Sequence, residues 1–80
     1  MSSNISNIVP VQQRIKTILQ GTQSLYQCKE IDVQTKNKIA ILCKEARVSN
    51  DFSELRKLFT GIYFSTEYPE LVEPLVEATK

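Results

Sequence analysis

Histidine is absent from the 80 residues, and with it goes the side chain most often used as a general acid or base near neutral pH. Cysteine occurs only at Cys28 and Cys43, too rarely for a disulfide framework and without the C-x-x-C spacing of redox or zinc sites. Both thiols are expected to be reduced and partly buried, because free cysteine behaves as a small hydrophobe. Long apolar runs are also missing. The longest, Ile39 to Cys43, falls far short of the roughly 20 residues that cross a bilayer, so no membrane insertion is expected. No phosphate loop, dinucleotide fingerprint, zinc motif or EF-hand loop is present, and the chain is read as a non-enzyme with no cofactor and no metal. Glu70, Glu73 and Glu77 could share a helical face, which reads as solvated rather than as a cation site. Met1 to Asn7 is polar, uncharged and followed by no long hydrophobic run, so the expected location is cytoplasmic.

What is present suits a small globular protein. Apolar residues make up 41% and charged residues 24% of the chain, a balance that supports folding of residues 1–80 as a single helical domain with 1–7 as a flexible lead. The core of so short a chain is necessarily modest. The net charge of +1 conceals a polarity: residues 1–50 carry seven basic and three acidic side chains, or +4, while residues 51–80 carry three basic and six acidic, or −3. Such a split can steer a charged partner toward one side of the molecule.

Apolar spacing predicts an all-α fold, a small helical bundle of three main helices plus a short C-terminal helix. Pro10 suits the first turn of helix one, whose stripe is Val11, Ile15, Ile18, Leu19, Thr22, Leu25 and Tyr26. Gly21 interrupts that stripe and is expected to bend or loosen the helix. Asp32 reads as the N-cap of helix two, with Ile31 as a hydrophobic staple, and the helix runs to about Ala46. Ala40 and Ile41 widen its apolar side, which marks it as the central helix. Val48 to Asn50 form a turn, and Asp51 with Glu54 has the form of a capping box for helix three. Phe52, Leu55, Leu58, Phe59, Ile62 and Tyr63 make the cleanest amphipathic pattern, and Gly61 marks a close approach or a weak point. Pro69 and Pro74 predict two short helical pieces rather than one final helix, because an interior proline costs about 3 kcal/mol.

Surfaces left over from this core are the candidate partner contacts: Lys36, Lys44 and Arg47 along one flank of helix two, and Tyr68, Leu71, Leu75 and Glu77 in the tail. In the tail, only one of the apolar pairs Leu71/Leu75 and Val72/Val76 needs to face the core. The expected partner is another protein, with a homodimer as a second way to cover the wide apolar side of helix two. An alternative is a nucleic-acid-binding regulatory protein, with helices two and three as a helix-turn-helix unit. Against it stand the long Ala40-to-Val48 spacing, the missing turn glycine and a third helix with only Arg56 and Lys57 as cations.

One family resemblance is visible. Leu55-Arg56-Lys57-Leu58-Phe59-Thr60-Gly61-Ile62-Tyr63-Phe64-Ser65, followed by Glu67-Tyr68 and the Leu-Val-rich tail to Glu77, resembles the third and fourth helices of the small bacteriocin immunity proteins. The sequence departs from that family in a short connection after Phe64 and in Pro74. The resemblance implies an antiparallel four-helix bundle in the bacterial cytosol. It further implies protection of a producer cell by engagement of a bacteriocin–receptor complex at the inner membrane face, with the carboxyl end setting specificity.

Overall fold

Helix boundaries in the computed structural model, which describes residues 10–80, follow local chemistry closely. Helix α1 spans Val11–Gln27, α2 Val33–Ser49, α3 Ser53–Ser65 and α4 Pro69–Ala78, and no strand occurs among the described residues. The expectation for residues 1–7 lies outside them. Pro10 is the residue just ahead of α1, and its carbonyl accepts from the Gln13 and Arg14 amides at 3.0 and 3.1 Å. The end of α1 is a Schellman turn: Lys29 takes a positive φ of 63°, its amide reaches the Tyr26 carbonyl, and the Glu30 amide reaches that of Leu25. Asp32 caps α2 as its spacing suggests, with Oδ1 accepting from the Thr35 amide at 2.8 Å. That bond favours the charged carboxylate and holds its pKa below the usual range.

Two boundaries differ from expectation. Helix α2 continues three residues past Ala46, because Asn50 adopts the left-handed conformation that stops a helix and donates to the Ala46 carbonyl at 2.7 Å. At the start of α3 the capping box is replaced by a tighter arrangement. Phe52 takes the cap position because its ring is buried, and Asp51, one residue earlier, accepts from the Ser53 amide at 3.0 Å and the Ser53 hydroxyl at 2.6 Å. These bonds lower the pKa of Asp51.

The connections, residues 28–32, 50–52 and 66–68, are short enough to fold each helix back on the one before it. Hydrogen bonds confirm the resulting up-down order. At one end Glu30, from the first connection, accepts from the Thr66 hydroxyl and the Glu67 amide of the third. At the other end Arg14 of α1 and Arg56 of α3 meet the last carbonyls of α4. Adjacent pairs α1–α2, α2–α3, α3–α4 and α4–α1 pack together, while the backbones of the diagonal pairs stay apart. The enclosed core contains Ile18, Leu25, Ile39, Phe59, Leu55, Val72 and Leu75. Helix α2 is not central. Its inner side contributes Ile39, Cys43 and Ala46, and its outer side leaves Val33, Ala40, Ile41 and Val48 exposed.

The tail is one continuous helix, not two pieces and not a free end. Pro74 lies inside α4 and removes one backbone donor, at a cost of about 3 kcal/mol. Glu70 and Pro74 are both exposed, so the carbonyl that loses its donor lies on the side open to water. Burial of Val72 and Leu75, each contributing about 1.5–3 kcal/mol, offsets the loss. Both apolar pairs are used, since Leu71 and Val76 pack half-buried against the same core. At its carboxyl end Arg14 Nε donates to the Ala78 carbonyl at 2.8 Å and Arg56 Nη2 to that of Thr79 at 2.7 Å, which satisfies orphan acceptors and places positive charge at the negative end of the helix dipole.

Gly21 allows this docking and leaves α1 unbroken. A Cβ built there would overlap the Leu75 side chain, meeting Cγ at 2.8 Å and Cδ1 at 2.9 Å. A Cβ at Gly61 would meet nothing within 4 Å. The two glycines therefore respond oppositely to the same change. Gly61→Ala is expected to stabilise the protein by about 1 kcal/mol through helix propensity. Gly21→Ala is expected to destabilise it by about 1–3 kcal/mol through overpacking against Leu75. Denaturant midpoints of the two variants, measured side by side, check the signs.

Candidate functional site

Core packing uses one side of α3 and one side of α4, and the remaining faces meet in a groove of about 290 Å³. Thr60, Tyr63 and Phe64 line it from α3, at the spacing of three and four that gathers residues on one helical face. Glu73, Val76 and Glu77 line it from α4 with the same spacing. Tyr63 and Phe64 stand edge to face, with ring centroids 5.4 Å apart at 81°. Tyr63 is half-buried, which holds its ring in place, whereas Phe64 is 81% exposed. That exposure leaves most of the Phe64 ring free to meet a partner.

The electrostatics of the groove are one-sided. Glu73 and Glu77 stand at its rim, and Glu70 continues the same acidic run along α4. Lys80 Nζ approaches Glu77 Oε2 at 3.0 Å, with both side chains about 60% exposed. A pair so open to solvent contributes little and exchanges readily with an incoming cation. Apolar wall and acidic rim together suit a side chain with a long aliphatic stem and a positive head.

Residues nominated from the sequence are dispersed by the fold. Glu77 lies at the groove, and Tyr68 sits partly exposed just ahead of α4. Leu71 is half-buried against the core, and Leu75 is 1% exposed in the notch at Gly21, so the fold leaves Leu75 no surface with which to meet a partner. On α2, Lys36 is drawn toward α1, its ammonium 4.4 Å from the centroid of the Tyr26 ring. Arg47 borders a hollow lined by Ile15 and Leu19 of α1, and Lys44 is exposed. Phe64 escaped the amphipathic reading because it falls well off the Phe52-to-Tyr63 stripe. Its place off the buried face of the helix is the available signal, since the core does not need a large aromatic there.

The remaining chemistry is sparse. Among the described residues no three His, Cys, Asp or Glu side chains converge as a metal site would require. No described helix is long and apolar enough to cross a membrane. The two cysteines are free and differently placed: Cys43 is buried as expected, but Cys28 is exposed at the end of α1. Burial pushes the Cys43 thiol up to about 11, so little thiolate forms there near neutral pH. A thiol-reactive dye should label Cys28 rapidly in the folded protein and Cys43 only after denaturant is added; equal labelling of both in the native state would contradict the burial. Compared with protein-family models, with curated proteins and with solved structures, the chain has no match.

Proposed function

We propose that this chain is a noncatalytic protein-interaction module whose α3–α4 groove receives an apolar, cationic segment of a partner protein. The exposed Phe64 ring carries the reading. It is a large aromatic beside the half-buried Tyr63, at the edge of a groove with an acidic rim. Aromatic side chains at the centre of an interface supply much of its affinity, and the rim charges select and steer the partner. Glu73 and Glu77 select a lysine or arginine, while Val76 and the two rings take the apolar side chains next to it.

Within this reading the resemblance of residues 55–77 to bacteriocin immunity proteins assigns a biological role, protection of a producer cell through a bacteriocin–receptor complex. The groove lies wholly inside the matching segment. An arrangement of four helices with antiparallel neighbours is the fold that this resemblance implies, and Pro74 leaves α4 continuous.

Two measurements test the proposal. In an NMR titration with a short amphipathic leucine–lysine peptide, shifts should concentrate at residues 60–64 and 73–77. Phe64→Ala should weaken binding tenfold or more, as about 1.4 kcal/mol or more would, and Glu73→Lys should weaken it in a salt-dependent way. Binding indifferent to both substitutions would sink the groove. Expression in bacteriocin-sensitive strains addresses the biological role: protection by the parent and its loss in Phe64→Ala is expected, and unchanged killing across a panel would remove the immunity reading.

A further inference from the structure

The outer face of α2 carries apolar side chains that neither the core nor the groove uses. Val33, Ile41 and Val48 are 52%, 57% and 90% exposed. They are spaced by eight and seven residues, close to two helical turns each, and so form one stripe about 22 Å long. The order of residues along this stripe is nearly the same from either end. About Ile41, Val33 balances Val48, and Asn37 balances Lys44. On the flank facing α3, Lys38 balances Glu45, seven residues further on and hence on the same side of the helix.

We infer that α2 pairs with α2 of a second copy of this chain, antiparallel, about a two-fold axis at Ile41. An antiparallel two-fold pair brings equal flanks together and inverts their order. Ile41 then meets the partner's Ile41, Val33 the partner's Val48, and Lys38 the partner's Glu45, with the last contact made twice by symmetry. Lys44 faces the partner's Asn37, a polar contact inside an apolar seam, which lowers affinity and fixes register. The other flank has Ala40 near the axis. Its cations turn aside toward α1, Lys36 over the Tyr26 ring and Arg47 beside Ile15 and Leu19. Parallel pairing would set Lys44 against the partner's Lys44 and, because a parallel two-fold brings opposite flanks together, would part Lys38 from the partner's Glu45, so the charges favour the antiparallel form.

One helical face from each copy is a small interface, below the roughly 800 Å² per partner of stable complexes. The dimer is therefore reversible and depends on concentration. It goes beyond the groove reading and leaves the α3–α4 groove open, since α2 and α4 occupy diagonal corners. Each dimer offers two grooves, and linked sites bind a multivalent partner more tightly than single ones.

Sedimentation equilibrium over a wide concentration series tests the pairing, with circular dichroism confirming that each variant stays helical. The apparent mass should rise toward twice the monomer, and Ile41→Lys should hold it at the monomer. Lys38→Glu and Glu45→Lys should each weaken association several-fold, and the double exchange should restore it. In a Cys28→Ser background, Ile41→Cys should form a disulfide-linked dimer on mild oxidation. Val48→Cys should not, because the two copies of that position lie about 20 Å apart along the seam. A single monomer mass at every concentration, a double exchange that fails to restore association, or equal cross-linking from both positions would overturn the inference. None of these outcomes bears on the groove, whose test reads Phe64 and Glu73.

Discussion

The fold depends on seating a ten-residue helix with an internal proline between two longer ones. Helix α4 lacks the local stability to form alone, both from its length and from the donor that Pro74 removes. Tertiary contacts hold it instead. Leu75 enters the notch at Gly21, Val72 meets the core, and Arg14 and Arg56 close on the carbonyls of Ala78 and Thr79 from the two neighbouring helices. Arg14 does two things at once, since its guanidinium also lies 3.8 Å from the centroid of the Phe52 ring that starts α3. Those contacts join the ends of α1, α3 and α4, which lie 64 residues apart in sequence between Arg14 and Ala78.

Placing α4 in this way creates the functional surface. Because Val72 and Leu75 turn inward, Glu73 and Glu77 turn outward toward α3, where they meet the aromatic pair Tyr63 and Phe64. The groove is therefore a product of packing, with one wall from each helix. The charge polarity of the sequence becomes spatial in the same step. The acidic run of α4 and the exposed Lys44 of α2 stand on diagonal corners, so surfaces of opposite character are separated on the molecule.

Much of the fold could be read from the chain because local signals agreed with tertiary ones. The stripes of α1 and α3 were visible as spacing, and Asp32 announced α2 by a chemistry that acts within three residues. Where the reading failed, a distant contact outweighed a local preference. Pro74 argued for a break, and burial of the residues around it, 50 or more positions from their partners on α1, outweighed the missing hydrogen bond. Asp51 and Glu54 had the form of a cap, and the buried Phe52 ring took the position. Lys29 and Asn50 adopt the backbone conformation usually left to glycine, so the ends of α1 and α2 carried no glycine signal. Of the surface residues nominated, Glu77 alone reached the groove, because a helical repeat such as Leu71-Val72-Glu73 and Leu75-Val76-Glu77 shows which residues share a face but not which face turns inward.

Native-state hydrogen exchange tests the central claim most directly. If α4 is locked between α1 and α3, the amides of residues 75–77, beyond the proline, open only with global unfolding and share the protection of residues 18–25 and 58–62. Exchange of the α4 amides at a much lower free energy, with α1 and α3 still protected, would mean that the last helix detaches by itself and that the groove it helps to form is not a fixed feature of the protein.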